Sequence, residues 1–283
     1  MEKIVFLKDM SWPEVEQRLK ETDIALLPVG QIEQHGPHLP LDIDNYTSTG
    51  IAERVAYETF DNVKPVVAPT IPFGYSDLPA FNRYPGTITL EPDILIGVYR
   101  DVALSLVKMG FKKIIFINGH GPNPPFINEA IRQTTKKSGA FIMLVNLLEL
   151  IGDISNKIFD ELGKPPVWGH ACLIETSVSE VFGAKVRAEK LTTYSPKPFP
   201  KELRNYLPKA PGDRSAPPGF IIPWLEQDYV MNCLWHEESS GVKGDPHGHS
   251  KEIGERIIAE AVKPIVKLVR DIKDFEVQIS INC

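Results

Sequence analysis

Short, uninterrupted apolar runs alternate along the chain with stretches in which apolar residues recur every three or four positions. The runs occupy residues 24–29, 66–70, 114–118 and 141–145. Continuous apolar runs of this length are typical of strands that are buried on both faces of a sheet. We therefore predict four buried strands with helical sequence between them.

Helical spacing marks four segments of the chain. They are the region of Ile51 and Val55, residues 92–109 between Pro92 and Gly110, the segment after Asn123 that ends near Lys136 and Lys137, and the segment from Ser250 onward. Proline at a helix start and glycine just past a helix end suit those positions. The alternation of strands and helices predicts an α/β fold with a mostly parallel central sheet covered by helices.

Length and apolar content bound the organisation of the chain. With 283 residues and 42% apolar composition it can bury one large core, and we expect a single domain over residues 1–283. Residues 194–224 differ from the rest because they hold eight prolines. Long irregular segments in compact domains are usually lids, oligomer contacts or disorder. We expect an ordered excursion here, since Phe199, Phe220 and Trp224 offer apolar anchors.

Charge and cysteine content exclude several classes of protein. The 31 basic and 37 acidic residues give a net charge of −6 without a basic block, which does not suit a nucleic-acid-binding surface. Cys172, Cys233 and Cys283 have no metal-binding spacing, so we expect reduced thiols. We find neither a signal-peptide pattern nor a run of roughly 20 apolar residues that could span a membrane. We expect a soluble, cytoplasmic protein.

The densest candidate chemistry lies in residues 33–44, which hold two histidines and three acidic residues. Glu33 and His35 follow the first predicted strand, and His120 follows the third. Ligands of open parallel sheets bind outside the carboxyl ends of the strands, so we expect these side chains to converge. Imidazole and carboxylate groups are the ligands of zinc, manganese and iron(II) sites. The sequence therefore predicts a divalent-metal site at this edge of the sheet.

Further polar residues are candidates for the same site. Asp44 lies near the start of the helix that contains Ile51, so its carboxylate could bind metal or cap backbone amides. His170 and Glu175 enter a short helical pattern. Taken singly, each would be an ordinary core or surface residue, but beside the other ligand types each becomes a candidate. His38 is interpreted as a residue that orients the loop.

Five motifs resemble those of the creatininase (creatinine amidohydrolase) family. They are VGQIEQHGPHLPLDID at 29–44, YPGT at 84–87, NGHGPN at 118–123, HACLIETS at 170–177 and SGVKGDP at 240–246. The first and fourth are highly specific, and the other three support them. The resemblance implies a three-layer α/β/α fold and a two-metal hydrolase site.

The resemblance also implies a ligand set in which Asp44 bridges two divalent ions, which could be zinc, manganese or iron. One ion would be held by Glu33, Asp44 and His120, and the other by His35, Asp44 and a further glutamate. Creatininase takes this glutamate from the position that is Pro122 here, and proline cannot coordinate a metal. We assign the role to Glu175, and a one-metal site is the alternative.

His170 resembles the general acid/base of the family, which delivers a proton to the leaving group. Its alternatives are a structural role and metal ligation. The reaction implied is hydrolysis, in which metal-activated water attacks the polarised carbonyl of a small cyclic amide, formamide or cyclic ketone. The tryptophans that creatininase places over its flat ring substrate are missing at the corresponding positions, so we do not expect creatinine itself.

Two alternatives to this function stay open. One is ring-opening carbon–carbon hydrolysis of a cyclic polyol ketone, and the other is a metal-binding protein without catalysis. The candidate substrate-binding residues are Tyr75, Asp77, Arg83, Trp168 and Trp224. The resemblance further implies a small-molecule substrate and a homo-oligomer, such as a hexamer.

Overall fold

The sheet has the predicted parallel architecture. The structure is a computed structural model that describes residues 3–76, 84–165, 169–195 and 240–280. Within these residues, four strands form one sheet in the order β2-β1-β3-β4, and every pair is parallel. The strands are β1 (Ile24–Val29), β2 (Val66–Val67), β3 (Lys113–Asn118) and β4 (Phe141–Asn146). Each strand lies where an apolar run predicts it.

The helices of the described residues lie before, between and after the strands. They are α1 (Trp12–Arg18), α2 (Ile43–Thr59), α3 (Pro92–Met109), α4 (Pro124–Ser138), α5 (Leu147–Leu150), α6 (Gly152–Glu161), α7 (Leu173–Val181) and α8 (Lys251–Asp271), with 3-10 turns at Leu7–Asp9 and Ala188–Lys190. The end signals of α3 are confirmed. It begins at Pro92, and Gly110 follows it with a φ of 123°, which only glycine adopts readily.

Helices cover both faces of the sheet. On one face, Leu26 and Ile115 belong to a buried cluster with α2, α6, α7 and α8. On the other face, Leu27 and Phe116 belong to a buried cluster with α3 and α4. Because successive strand residues point to opposite faces, both sets must be apolar, which explains the continuous apolar runs. The predicted α/β class and its three layers are confirmed.

The second strand is shorter than the predicted run at 66–70. Regular pairing ends at Val67, because the next β1 residue that faces this strand is Pro28, which has no amide hydrogen to donate. The chain nevertheless stays beside β1, because the Ala68 amide donates to Leu26 O at 2.8 Å and the Ile71 amide donates to Pro28 O at 3.0 Å. This path delivers the following residues to the carboxyl edge of the sheet.

Several expectations fall outside the described residues. Of the proline-rich segment 194–224, only residues 194 and 195 are described, and Cys233 and Cys283 also lie outside. The single-domain organisation stays a prediction. Cys172 is a buried free thiol. Among the helices that the structure describes, none has the length and apolarity needed to cross a membrane.

Candidate metal centre

The candidate ligands come together at the carboxyl edge of the sheet. Glu33 and His35 lie on the loop after β1, His120 lies two residues after β3, and Asp44 is the second residue of α2. All four side chains are buried, with exposed fractions of 4% or less. The backbones approach closely here, because a Cβ at Gly119 would lie 2.5 Å from Asp44 O. The sequence prediction that these residues converge is therefore met by the geometry.

Asp44 lies between two imidazoles. Its Oδ2 is 2.8 Å from His120 Nδ1, and its Oδ1 is 3.4 Å from His35 Nε2. The carboxylate thus directs one oxygen toward each imidazole, which is the arrangement a bridging ligand needs. The sequence left metal ligation and helix capping open for Asp44, and this geometry suits metal ligation.

The two carboxylate oxygens of Glu33 have different contacts. Its Oε1 lies 3.6 Å from His120 Nδ1 and 3.5 Å from His170 Nδ1. Its Oε2 accepts a hydrogen bond from Ser76 Oγ at 2.5 Å. One oxygen is therefore held by a buried hydroxyl while the other faces the imidazoles.

Backbone carbonyls set the tautomer of each imidazole. His35 Nδ1 lies 3.1 Å from Glu33 O, His120 Nε2 lies 2.9 Å from Tyr75 O, and His170 Nε2 lies 2.5 Å from Gln34 O. A carbonyl oxygen only accepts, so each of these nitrogens carries the hydrogen. A neutral imidazole then presents a lone pair on its other nitrogen, and that nitrogen faces a carboxylate oxygen in each case.

If the imidazoles are neutral, these approaches bring acceptors against acceptors. Among the described residues, His35 Nε2 and Asp44 Oδ2 are buried without a hydrogen-bond partner. Either extra protons or a metal ion would relieve the repulsion. Metal-ligating histidines commonly donate their other N–H to a backbone carbonyl or carboxylate, so the donor set fits a divalent metal.

Within the part of the chain that the structure describes, two groups of side chains have ligand atoms close enough to share an ion. One is Glu33, Asp44 and His120, and the other is Glu33, His35 and His170, with all ligand atoms of a group within 4.8 Å of one another. The first is the predicted set for one ion. The second brings in His170, which the sequence analysis considered a ligand only as an alternative.

Glu175 is in neither group. It lies in the first turn of α7, and its Oε2 accepts a hydrogen bond from the Ala171 amide at 2.5 Å. Ala171 has a φ of 55°, a left-handed conformation that is costly for a residue other than glycine. One carboxylate oxygen of Glu175 therefore holds the backbone next to His170, and its ligand role stays a prediction.

The electrostatics of the site follow from burial and from charge pairing. Burial opposes protonation of His35, but Asp44 and other carboxylates outweigh it and raise the pKa of His35 to about 10. Burial likewise opposes charging of His120, and Glu33 and Asp44 raise its pKa to about 9. For Asp44, burial favours the neutral acid, but the imidazoles outweigh it and lower the pKa. The site therefore stabilises positive charge at the nitrogens that face carboxylates.

His170 and Glu175 have the opposite tendencies. Burial, and then the charge of His35, hold the pKa of His170 well below its usual value. Burial raises the pKa of Glu175 to about 7. The rings of His35 and His170 lie 4.2 Å apart between centroids. His170 is thus a neutral imidazole beside a group of ligands, and its Nδ1 lone pair is available to accept a proton or to bind a metal.

The structure adds Ser76 and the backbone carbonyls of Glu33, Gln34 and Tyr75, which were not predicted from the sequence. Ser76 follows Tyr75, and its amide donates to Thr89 Oγ1 at 3.0 Å. Isolated loop hydroxyls and carbonyls carry no periodicity or motif spacing, so nothing in the sequence marks them. Tyr75 was predicted to bind substrate. Its ring packs on Phe126 at 4.8 Å between centroids, and its carbonyl holds His120.

The remaining predicted residues are four candidate substrate contacts and His38. Asp77, Arg83, Trp168 and Trp224 lie outside the described residues. His38 is fully buried, and its Nε2 lies 3.1 Å from Thr176 Oγ1. It therefore ties the first motif to α7, as expected of a residue that orients the loop.

Comparison with known proteins gives one family across most of the chain. A family model described as creatininase (creatinine amidohydrolase) matches residues 8–269. A mycofactocin precursor peptide peptidase of Mycobacterium tuberculosis is 31% identical over 252 residues, which are 86% of this chain and 83% of that protein.

Two further relatives match over shorter segments. Creatinine amidohydrolase of Pseudomonas putida is 33% identical over 135 residues, 46% of this chain and 50% of that protein. A 3-dehydro-scyllo-inosose hydrolase of Thermotoga maritima is 33% identical over 117 residues, 41% of this chain and 36% of that protein. The chain thus spans half or less of these two relatives.

Solved structures share the fold. A crystal structure of creatinine amidohydrolase superposes with a TM-score of 0.75 at 22% identity, covering 97% of this chain and 100% of that one. A creatininase described as Mn has a TM-score of 0.75, and a creatininase variant of Zn-Zn type has a TM-score of 0.74; both are 22% identical and cover 96% of this chain, with 99% and 100% of their own.

Proposed function

Because the chain belongs to the creatininase family, we propose that it is a divalent-metal-dependent hydrolase that adds water to the carbonyl of a small cyclic amide, formamide or cyclic ketone. The observation that carries the proposal is the set of buried imidazole nitrogens that face carboxylate oxygens at 2.8–3.6 Å. While the imidazoles are neutral, this set places acceptors against acceptors, and a divalent ion between them would bind both.

The residues divide between two ion positions. Glu33, Asp44 and His120 would hold one ion, and His35 with Asp44 would hold the other, completed by Glu175. Histidine and carboxylate ligands accept zinc, manganese and iron(II). When bound, such an ion lowers the pKa of water toward neutrality and polarises a carbonyl.

His170 would move the proton. Its Nε2–H is held by Gln34 O, so Nδ1 carries the lone pair and faces the site. Burial keeps this imidazole neutral, and it would take a proton from the nucleophile and deliver it to the leaving group. If His170 instead binds metal with Glu33 and His35, its replacement would release metal.

The proposed substrate class is based on the named activities of the relatives. The named relatives include a creatinine amidohydrolase, a hydrolase of an inosose and a peptide peptidase. All three names describe addition of water, and the proposed class stays a small cyclic amide, formamide or cyclic ketone. Tyr75, Asp77, Arg83, Trp168 and Trp224 stay predicted substrate contacts, and the homo-oligomer and cytoplasmic location stay predictions.

A second reaction is ring-opening hydrolysis of a cyclic polyol ketone. It is favoured by the similarity to the inosose hydrolase, which is 33% identical over the matched segment. Both reactions begin with addition of water to a carbonyl carbon, so one site could serve either. The two reactions differ in the leaving group, which is nitrogen in amide hydrolysis and carbon in ring opening of the ketone.

The test combines metal analysis with a hydrolysis screen. The purified protein should contain one or two zinc, manganese or iron ions per chain and hydrolyse a member of a panel of cyclic amides, formamides and cyclic polyol ketones. Tight metal binding without turnover on the whole panel would instead identify a non-catalytic metal-binding protein. Absence of metal after reconstitution would refute both the metal-dependent hydrolase and the non-catalytic metal-binding protein.

Two variants test the assigned roles. His170→Asn should keep metal but lower kcat by about 10²–10⁴-fold, the usual contribution of general acid–base catalysis. Loss of metal in this variant would mark His170 as a ligand. Glu175→Gln should lower metal stoichiometry and turnover, and unchanged values would refute the assignment of Glu175. Asp42→Asn is the matched control, since Asp42 lies in the same segment as the ligands but bonds Asn45 Nδ2 instead.

A further inference from the structure

The motif at 240–246 takes no part in the ligand set, yet it pairs with the backbone of His170. The His170 amide donates to Lys243 O at 2.9 Å, and the Lys243 amide donates to His170 O at 2.8 Å. On the other side, Tyr194 and Gly244 exchange a similar pair of bonds at 3.0 and 2.7 Å. Residues 243–245, called the strap below, therefore run between residue 170 and residue 194 in the manner of a short central strand.

Packing of the strap against the His170 segment is tight. A Cβ at Gly169 would lie 1.8 Å from Lys243 O, so only glycine fits there. Past His170, the Leu173 amide donates to Asp245 O at 3.1 Å, which links the strap to the start of α7. The strap thus fixes the backbone on both sides of His170, while Gln34 O fixes the imidazole.

The side chain of Asp245 anchors the strap to its surroundings. Its Oδ2 accepts from Lys164 Nζ at 2.5 Å, and its Oδ1 accepts from Thr193 Oγ1 at 2.8 Å and from the His247 amide at 3.0 Å. Lys164 Nζ also donates to His247 O at 2.7 Å. Burial opposes ionisation of Asp245, but the bonds from Lys164 and His247 outweigh it and lower its pKa.

We propose that Asp245 is a positioning residue for His170, because it locks the strap against Lys164 and Thr193 and the strap in turn fixes the His170 backbone. The carboxylate is specific for this task. Asparagine at 245 could still accept one hydrogen bond, but its amide would carry no charge to pair with Lys164. The catalytic consequence rests on the proposed function, whereas the positioning of the backbone does not.

The control is the Arg54–Glu255 ion pair. Arg54 Nη1 lies 2.6 Å from Glu255 Oε2, and the pair joins α2 to α8. Its side chains are 36% and 51% exposed, against 24% and 36% for Lys164 and Asp245. This pair is bidentate, since Arg54 Nη2 also donates to Glu255 Oε1 at 2.8 Å, so its contribution to stability is at least that of an ordinary exposed ion pair. Glu255→Gln therefore reports what loss of an ordinary ion pair does to the whole fold.

The experiment compares Asp245→Asn with Glu255→Gln by hydrogen exchange and by steady-state kinetics. In Asp245→Asn, amides in residues 169–173 and 243–245 should exchange faster, while the rest of the chain and the metal content stay as in the wild type. kcat should fall by at least about tenfold with little change in KM, because a displacement of about 1 Å of a catalytic group can cost 10²-fold. Glu255→Gln should change neither.

The outcomes separate cleanly. Unchanged exchange at 169–173 in Asp245→Asn, or an equal increase in Glu255→Gln, would overturn the positioning role. Faster exchange with unchanged kcat would overturn the link to catalysis. If the wild type hydrolyses nothing on the panel, the proposed function fails while the exchange data still test the strap. Should Asp245→Asn not fold, Lys164→Met removes the same ion pair and keeps the carboxylate.

Discussion

Ser76 gives the sharpest test of how the metal centre is held. Its hydroxyl donates to Glu33 Oε2 at 2.5 Å, and the serine is fully buried. This bond leaves Glu33 Oε1 to face His120 and His170. Ser76→Ala removes the donor and leaves a carboxylate oxygen buried without it, so Glu33 is free to rotate away from the position that the ligands require.

The size of the effect follows from the type of bond. Hydrogen bonds to charged groups contribute about 1.5–3 kcal/mol, and each 1.4 kcal/mol is about tenfold in an equilibrium constant. Ser76→Ala should therefore weaken metal binding by roughly 10–100-fold, which is also the usual cost of losing a group that orients a ligand. The fold should persist, because the change removes one oxygen atom.

The assay is a competition titration of metal-free protein with zinc and a chelator of known affinity. Ser155→Ala is the matched control, since Ser155 is equally buried and its hydroxyl donates to Ile151 O at 2.7 Å in the region of α6. This control should bind zinc as the wild type does. Wild-type affinity in Ser76→Ala would refute the reasoning, and equal losses in both variants would show a general effect of destabilisation.

Two further predictions concern metal removal and backbone packing. In metal-free protein the raised pKa values of His35, about 10, and His120, about 9, exceed the ordinary value of 6.5, so their protons stabilise the fold most below pH 6.5. This stability should be lost as pH rises toward 9–10. The Tm of the chelated protein should therefore fall across that range and recover when zinc is added. A Tm that does not change with pH would contradict the proposed pairing of protonated imidazoles with carboxylates. Gly119→Ala should lower both Tm and zinc affinity, because its Cβ would meet Asp44 O at 2.5 Å. Gly97→Ala in α3, with no atom nearer than 3.8 Å, should raise Tm, because alanine favours a helix by about 1 kcal/mol, and equal effects of the two changes would refute the argument.

The fold was predictable where burial imposes a pattern on the chain. β1 and β3 are buried on both faces, so apolar residues fill them except at the Lys113 and Asn118 ends of β3, and the runs at 24–29 and 114–118 stand out. α3 has both end signals, proline and glycine, and its bounds match the prediction. The length of β2 was overestimated, because Pro28 of β1 cannot donate to the ladder although the apolar character of residues 66–70 continues.

The site was predictable only in part. Glu33, His35 and His120 could be placed together because strand ends of a parallel sheet meet at one edge. Ser76 could not, because its role depends on how one loop packs against another. Glu175 shows a second limit of predicting the site from the sequence. Its ligand role came from family resemblance, while the hydrogen bond to the Ala171 amide depends on local backbone geometry that no spacing reveals.

The loop that carries Glu33 and His35 also supplies the carbonyls that orient the imidazoles. Glu33 O accepts from His35 within the loop, and Gln34 O accepts from His170 before α7. One short segment therefore provides ligands and also fixes the tautomers of imidazoles from two motifs. Because a displaced backbone would misalign both at once, the ligand set and the proton carrier should respond together to changes in this loop. The two motifs that are most specific in the sequence thus form a single unit in the structure.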